Sequence, residues 1–141
     1  MFLRAFLNLK KCCKYCLFPF TVGNCINFDR GMESGAIPDS QITASSEINA
    51  NTLAKNGRLN AARSSWCAST SDSSPYLQID LQTLHIVFAV STQGNSQGDQ
   101  LVETYTIQSS ADGTTWVDYK EDGQVKVKGG TFYAYTSFGT S

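Results

Sequence analysis

Tyr76–Leu81 reads YLQIDL, and its alternation decides the fold class. Leu77, Ile79 and Leu81 fall on one face, with Gln78 and Asp80 on the other, the period of a half-buried β-strand. A few residues on, Ile86–Val90 reads IVFAV, the continuous apolar run expected of a strand buried on both faces. Further along, Tyr105, Ile107 and Ser109 alternate with Thr104, Thr106 and Gln108. Asp112-Gly113 is a hairpin signal, and Trp116, Val125 and Val127 continue the β pattern. Upstream, Ser40–Ser46 (SQITASS) sets Ile42 among polar neighbours and reads as a short strand. No 3.6-residue apolar period persists after Cys25. The fold class is therefore all-β.

The segments between these strands are long. Glu47–Pro75 is rich in Asn, Ser, Ala and Gly and holds no sustained period, so it reads as loops and turns. A stretch this long without regular structure is unusual in a compact domain and is often functional. Trp66 interrupts it and is its obvious anchor into a core. Thr92–Gln100 is wholly polar with two glycines and reads as an exposed loop.

The 141 residues suffice for one domain with a real core. Apolar residues make up 41% and charged residues 16%, and the formal net charge is -1. Such a balance draws the chain neither to nucleic acid nor to anionic lipid as a whole, so no nucleic-acid partner is expected. The composition changes abruptly at Asn24–Gly31. Before it, residues 1–24 are apolar and basic, with Arg4, Lys10, Lys11 and Lys14. The lysines interrupt the apolar run a signal peptide requires, and the segment falls short of the roughly 20 apolar residues a membrane-spanning helix needs. A poor signal peptide, an amphipathic leader and sequence foreign to the domain all remain open. The expected boundary sets 1–24 as a leader outside the domain and 25–141 as the domain itself.

The residues offer no reaction. His85 is the single histidine, and a triad needs a base beside its nucleophile. It reads as a strand-end histidine. Asp72, Asp80, Asp99, Glu103 and Asp112 are scattered among Ser, Gln and Gly in the manner of solvated turn acids, not paired catalytic carboxylates. No GxxxxGK[ST], GxGxxG or HExxH occurs. Cys12, Cys13 and Cys16 cluster, but four zinc ligands are not at hand. With Cys25 and Cys67 the cysteines number five, so they cannot all pair within one chain. The chain is expected not to be an enzyme.

Several stretches together carry a resemblance. GMESGAIPDSQITASS (Gly31–Ser46), GRLN (Gly57–Asn60), Trp66, YLQIDL, VSTQG (Val90–Gly94) and YTIQSSADGTTWVDYK (Tyr105–Lys120) occur in order. From about Cys25 to Val127 the chain resembles the discoidin domain, also called the coagulation factor 5/8 type C domain. The resemblance implies an antiparallel β-sandwich of jelly-roll, galactose-binding-like type. It also implies an extracellular or cell-surface module that binds lipid head groups, glycans or proteins through loops at one end. Asn49, Ala50, Asn51, Thr52 and Leu53 fall where such domains place a first binding loop. Asn95, Ser96, Gln97, Gly98 and Asp99, with Gln100, fall where they place the second. Similar domains pair a cysteine near the start with one at the end. Cys25 holds the first position, but no cysteine follows Cys67. Some relatives pair the cysteine after the tryptophan with one in the IVFAV-like strand; Phe88 stands there, which would leave Cys67 free. The closing strands of the family are not recognisable after Val127, so the resemblance implies a C-terminally truncated, incomplete fold. In such a fold IVFAV would be an exposed edge prone to intermolecular pairing, unless KGGTFYAYTSF, with Phe132, Ala134 and Phe138 alternating, supplies a substitute strand.

The function expected on these grounds is non-catalytic adhesion or recognition, with a cell-surface or matrix glycan or protein as partner. The alternative is peripheral binding to phospholipid membranes of the clotting-factor kind, through large apolar side chains at the loop tips. Leu53 is the one such residue in the two loops, and a single leucine buries little area; Lys55, Arg58 and Arg63 are sparse basic flanks. No cofactor is required. Calcium occurs in some similar sandwiches, and Asn56, Asp72 and Asp99 could ligate it, though no clustered acidic spacing argues for it.

Overall fold

The computed structural model describes residues 1–8, 13–18, 31–60, 65–85, 87, 89–95, 101–129 and 133–137. Eleven strands follow in chain order: β1 (Phe2–Asn8), β2 (Cys13–Phe18), β3 (Ile42–Ala44), β4 (Tyr76–Asp80), β5 (Ala89–Gly94), β6 (Thr104–Ser110), β7 (Val117–Asp118), β8 (Lys120–Glu121), β9 (Gln124–Val125), β10 (Lys128–Gly129) and β11 (Tyr133–Ser137). Two 3-10 turns, Asp39–Gln41 and Ala54–Gly57, are the helical elements among the described residues.

The larger sheet runs β10-β6-β1-β4-β3, with β7 also paired to β6, and the smaller runs β11-β5-β2. Every ladder given is antiparallel. In β4 the alternation works as read: Leu77 and Ile79 are buried, while Tyr76, Gln78 and Asp80 are half-buried. In β6 Tyr105 and Ile107 are buried in the same way. β3 adds Ile42 opposite Ile79. These side chains join Met32, Ile37, Trp66, Val90 and Val102 in one core cluster. The core lies between the sheets, because Val90 comes from β5 and the others on strands come from the larger sheet. The result is the all-β antiparallel sandwich expected. The Asp112-Gly113 turn joins β6 to β7, with Gly113 at φ 79° and Ser109 opposite Val117. A Cβ on Gly113 would meet the Phe2 ring at 2.8 Å, so the turn needs glycine for both reasons.

Several expectations differ from the structure; the first part of the loop expected over Thr92–Gln100 is instead the end of β5, with Thr92 and Gln93 buried. Residues 1–24 were set outside the domain, yet β1 lies between β4 and β6, pairing Phe2–Phe6 with Asp80–Tyr76 and Phe2–Asn8 with Ser110–Thr104. β2 likewise flanks β5. An apolar segment can join a sheet wherever two neighbours leave their hydrogen-bonding groups unpaired. The IVFAV run was read as one strand; β5 begins at Ala89, Val87 is half-buried before it, and Ile86 and Phe88 lie outside the described residues. Nor is β5 an edge: β2 and β11 occupy its two sides. The Tyr133–Ser137 segment is thus the substitute strand that the alternation around Ala134 suggested. Finally, Trp116 and Val127 carry no strand of their own. Trp116 precedes β7, and Val127 is exposed between β9 and β10.

Candidate functional site

The loop that follows β3 is fixed from both ends. Trp66, fully buried, donates its indole N–H to the Ser46 carbonyl at 2.9 Å. The residue after it clamps the loop by its backbone: Ile48 N–H donates to Cys67 O at 3.0 Å, and Cys67 N–H donates to Thr52 O at 3.3 Å. Within the loop, Asn49 Oδ1 accepts from Asn51 N–H at 2.8 Å, and Thr52 N–H donates to Asn49 O at 3.1 Å. This is the Asx-turn behaviour that makes Asn a turn residue. Glu47 Oε1 accepts from Ala54 N–H at 2.6 Å, and Asn56 Nδ2 donates to Asn51 O at 2.8 Å. Asn49, Ala50 and Asn51 project as the exposed tip, with Thr52 and Leu53 half-buried.

Below the loop, Asp72 ties its own turn to the end of β3. Its carboxylate accepts from Ser45 Oγ at 2.6 Å, Ser46 Oγ at 2.5 Å and Ser74 N–H at 3.0 Å. The hydroxyls of Ser45 and Ser46 favour the charged form and hold Asp72 below the usual carboxylate range. Arg58 closes the other flank. It donates to the carbonyls of Gly31, Met32 and Ile37 and pairs with Asp39 at 2.8 Å, which Lys55 also reaches at 3.5 Å. Arg58 accordingly holds Asp39 below its ordinary pKa.

The first binding loop expected from the sequence, Asn49–Leu53, is thus one continuous feature. Of the second, Asn95 is half-buried at the end of β5, while Ser96, Gln97, Gly98 and Asp99 lie outside the described residues, as does Cys25. Two details of the site differ from expectation. Leu53, the expected large apolar tip, is half-buried where the 3-10 turn begins, and Ile48 is exposed at 47%. Cys67 was expected to be free, whereas it is disulfide-bonded, through a bond to a cysteine other than one in the IVFAV run. Burial marked Cys67 as structural, but spacing alone could not supply the partner. Of the residues named for calcium, Asp72 accepts from Ser45 Oγ and Ser46 Oγ, Asn56 donates its Nδ2 to Asn51 O, and Asp99 lies outside the described residues. Among the described residues His85 lies in the loop after β4 with Nε2 3.1 Å from Thr83 Oγ1, and no cluster of His, Cys, Asp or Glu could hold a metal.

A β-sandwich with a tryptophan-pinned, polar loop at one end is the arrangement the sequence resemblance implied, and the F5/8 type C domain family matches residues 41–137. The chain belongs to the discoidin (F5/8 type C) family. The family match extends past Val127 to the end of β11. Human neuropilin-1 is 39% identical over 95 residues, covering 64% of this chain and 10% of that protein. Human epithelial discoidin domain-containing receptor 1 is 37% identical over 108 residues, covering 70% and 12%. Chicken neuropilin-1 is 37% identical over 116 residues, covering 78% and 12%. The discoidin domain described here therefore spans about a tenth of the length of these curated relatives.

Proposed function

We propose that this discoidin domain is a non-catalytic, extracellular recognition module that binds a glycan or protein ligand through the loop Glu47–Asn56. The observation that carries the reading is the loop's construction. Its base is fixed by a buried indole, two backbone clamps and a bonded cysteine, while Asn49, Ala50 and Asn51 stand exposed. A loop ordered before binding loses little entropy on binding, which favours recognition over a structural connection. The disulfide at Cys67 suits an oxidising, extracellular compartment, and one relative is by name a receptor. Among the described residues no helix is long and apolar enough to cross a membrane.

The test is a paired array of glycans and cell-surface ectodomains, probed with the full chain and with Asn51→Ala. A glycan or protein signal that Asn51→Ala removes without changing the melting temperature supports the reading. Cosedimentation with phosphatidylserine vesicles, lost on Ile48→Ser and unaccompanied by any array signal, would replace it with lipid binding.

A further inference from the structure

The outer face of the larger sheet carries a row of side chains that the loop reading does not use. The ladder registers place Thr43, Gln78, Arg4, Gln108 and Asp118 side by side across β3, β4, β1, β6 and β7. At the usual strand spacing the row is about 19 Å long. Arg4 is its centre. Its Nε donates to Gln78 Oε1 at 2.6 Å, and its Cζ lies 4.2 Å from the Tyr76 ring centroid and 3.8 Å from that of Trp116. Phe2 supports Trp116 at 6.4 Å. A guanidinium flanked by two rings has few orientations left.

The terminal nitrogens of Arg4 make no hydrogen bond to a described residue, and no described carboxylate pairs with it. Arg58 shows the contrast, since every edge of its guanidinium is engaged. The acids near the row are committed elsewhere. Asp118 accepts from Gln108 Nε2 at 2.7 Å and sits two strands from Arg4, about 10 Å away. Asp80, one row along, accepts from Gln82. What stays open on this face is a cationic fork, the Gln78 amide donor and the Gln108 amide acceptor.

We infer that this face is a second binding site, for a carboxylate-bearing saccharide, with Arg4 receiving the carboxylate. The planar fork matches a carboxylate in two parallel hydrogen bonds. The flanking amides offer both a donor and an acceptor for hydroxyl groups. A single cation on a flat, half-buried face suits one carboxylate per sugar better than a densely charged polyanion. The site does not depend on the loop reading, because it lies on the strands and Arg4 precedes the family match at residue 41.

Calorimetric titration of the full chain at low salt with tetragalacturonic acid, maltotetraose and pentaglutamate decides it. The galacturonate should bind and the neutral sugar should not. Arg4→Gln should weaken binding at least tenfold. Arg4→Lys keeps a charge and loses the fork, so it should weaken binding several-fold while the fold is intact. Asn51→Ala should leave this binding unchanged. Absence of galacturonate binding, equal affinity in wild type and Arg4→Lys, or pentaglutamate binding as tight as galacturonate would each overturn the inference.

Discussion

The loop end and the sheet face of this domain present polar surface in opposite ways. The loop Glu47–Asn56 is held by its backbone: most of its internal bonds start or end on main-chain N–H or C=O groups, and its cation Lys55, like Arg58 just beyond it, is spent on Asp39. The sheet face is held by its ladder, so its side chains are spared, and Arg4 is left with an open fork. A loop must use polar groups to satisfy itself, whereas a sheet satisfies its backbone first. The loop thus offers shape and exposed asparagines, and the sheet offers charge.

The largest test of this contrast is Trp66→Ala. The side chain is fully buried and supplies the loop's central bond. Truncating a buried tryptophan costs about 3–5 kcal/mol, a large share of the roughly 5–15 kcal/mol that holds a domain folded. Urea denaturation should show that loss, and a change below about 1 kcal/mol would mean the loop does not depend on its anchor.

A smaller effect comes from Thr92, whose buried hydroxyl in β5 has no hydrogen-bond partner among the described residues. Thr92→Val removes an unsatisfied polar group worth about 1–3 kcal/mol. The melting temperature should rise by a few degrees, while a fall would show that the hydroxyl is bonded in solution. Acid sensitivity is the subtlest probe. Asp72, Asp39 and Asp112 all have folded pKa values lowered, chiefly by hydrogen bonds from Ser45, from Arg58 and from Thr115 N–H respectively. Each contributes stability that is present above the ordinary carboxylate range, about pH 4, and is lost as pH falls through the lowered value. The difference in melting temperature between wild type and Asp72→Ala should therefore shrink from pH 6 to pH 2. A difference independent of pH would assign Asp72 no electrostatic part.

The strands β4 and β6 were legible because alternation survives wherever one face is buried and the other meets solvent. Trp66 was legible as the sole aromatic side chain in a polar stretch. β1 was not, although it neighbours both. FLRAFLN breaks its apolar run only at Arg4 and Asn8, and a period-two scan sees no polar face in it. The charge of Arg4 is accommodated on ring faces, a cost that hydropathy cannot anticipate. At the site, the family resemblance located the loop but not its exposed apolar member. Leu53 and Ile48 are equally apolar, and only the clamp at Cys67 and the turn at Ala54 decide which one faces solvent. The partner of Cys67 was illegible for a similar reason, since disulfide pairing follows spatial approach and not order along the chain.

Recognition through the loop requires that it be ordered before it meets a ligand. Backbone 15N relaxation on the free chain measures this at the amides of Ile48, Thr52, Ala54 and Asn56, with Leu77 and Ile79 of β4 as the rigid reference. The four loop amides are predicted to show order parameters near those of β4, about 0.85. Values below about 0.6 with β4 still rigid would contradict the account, because a loop that mobile cannot be the preformed recognition surface.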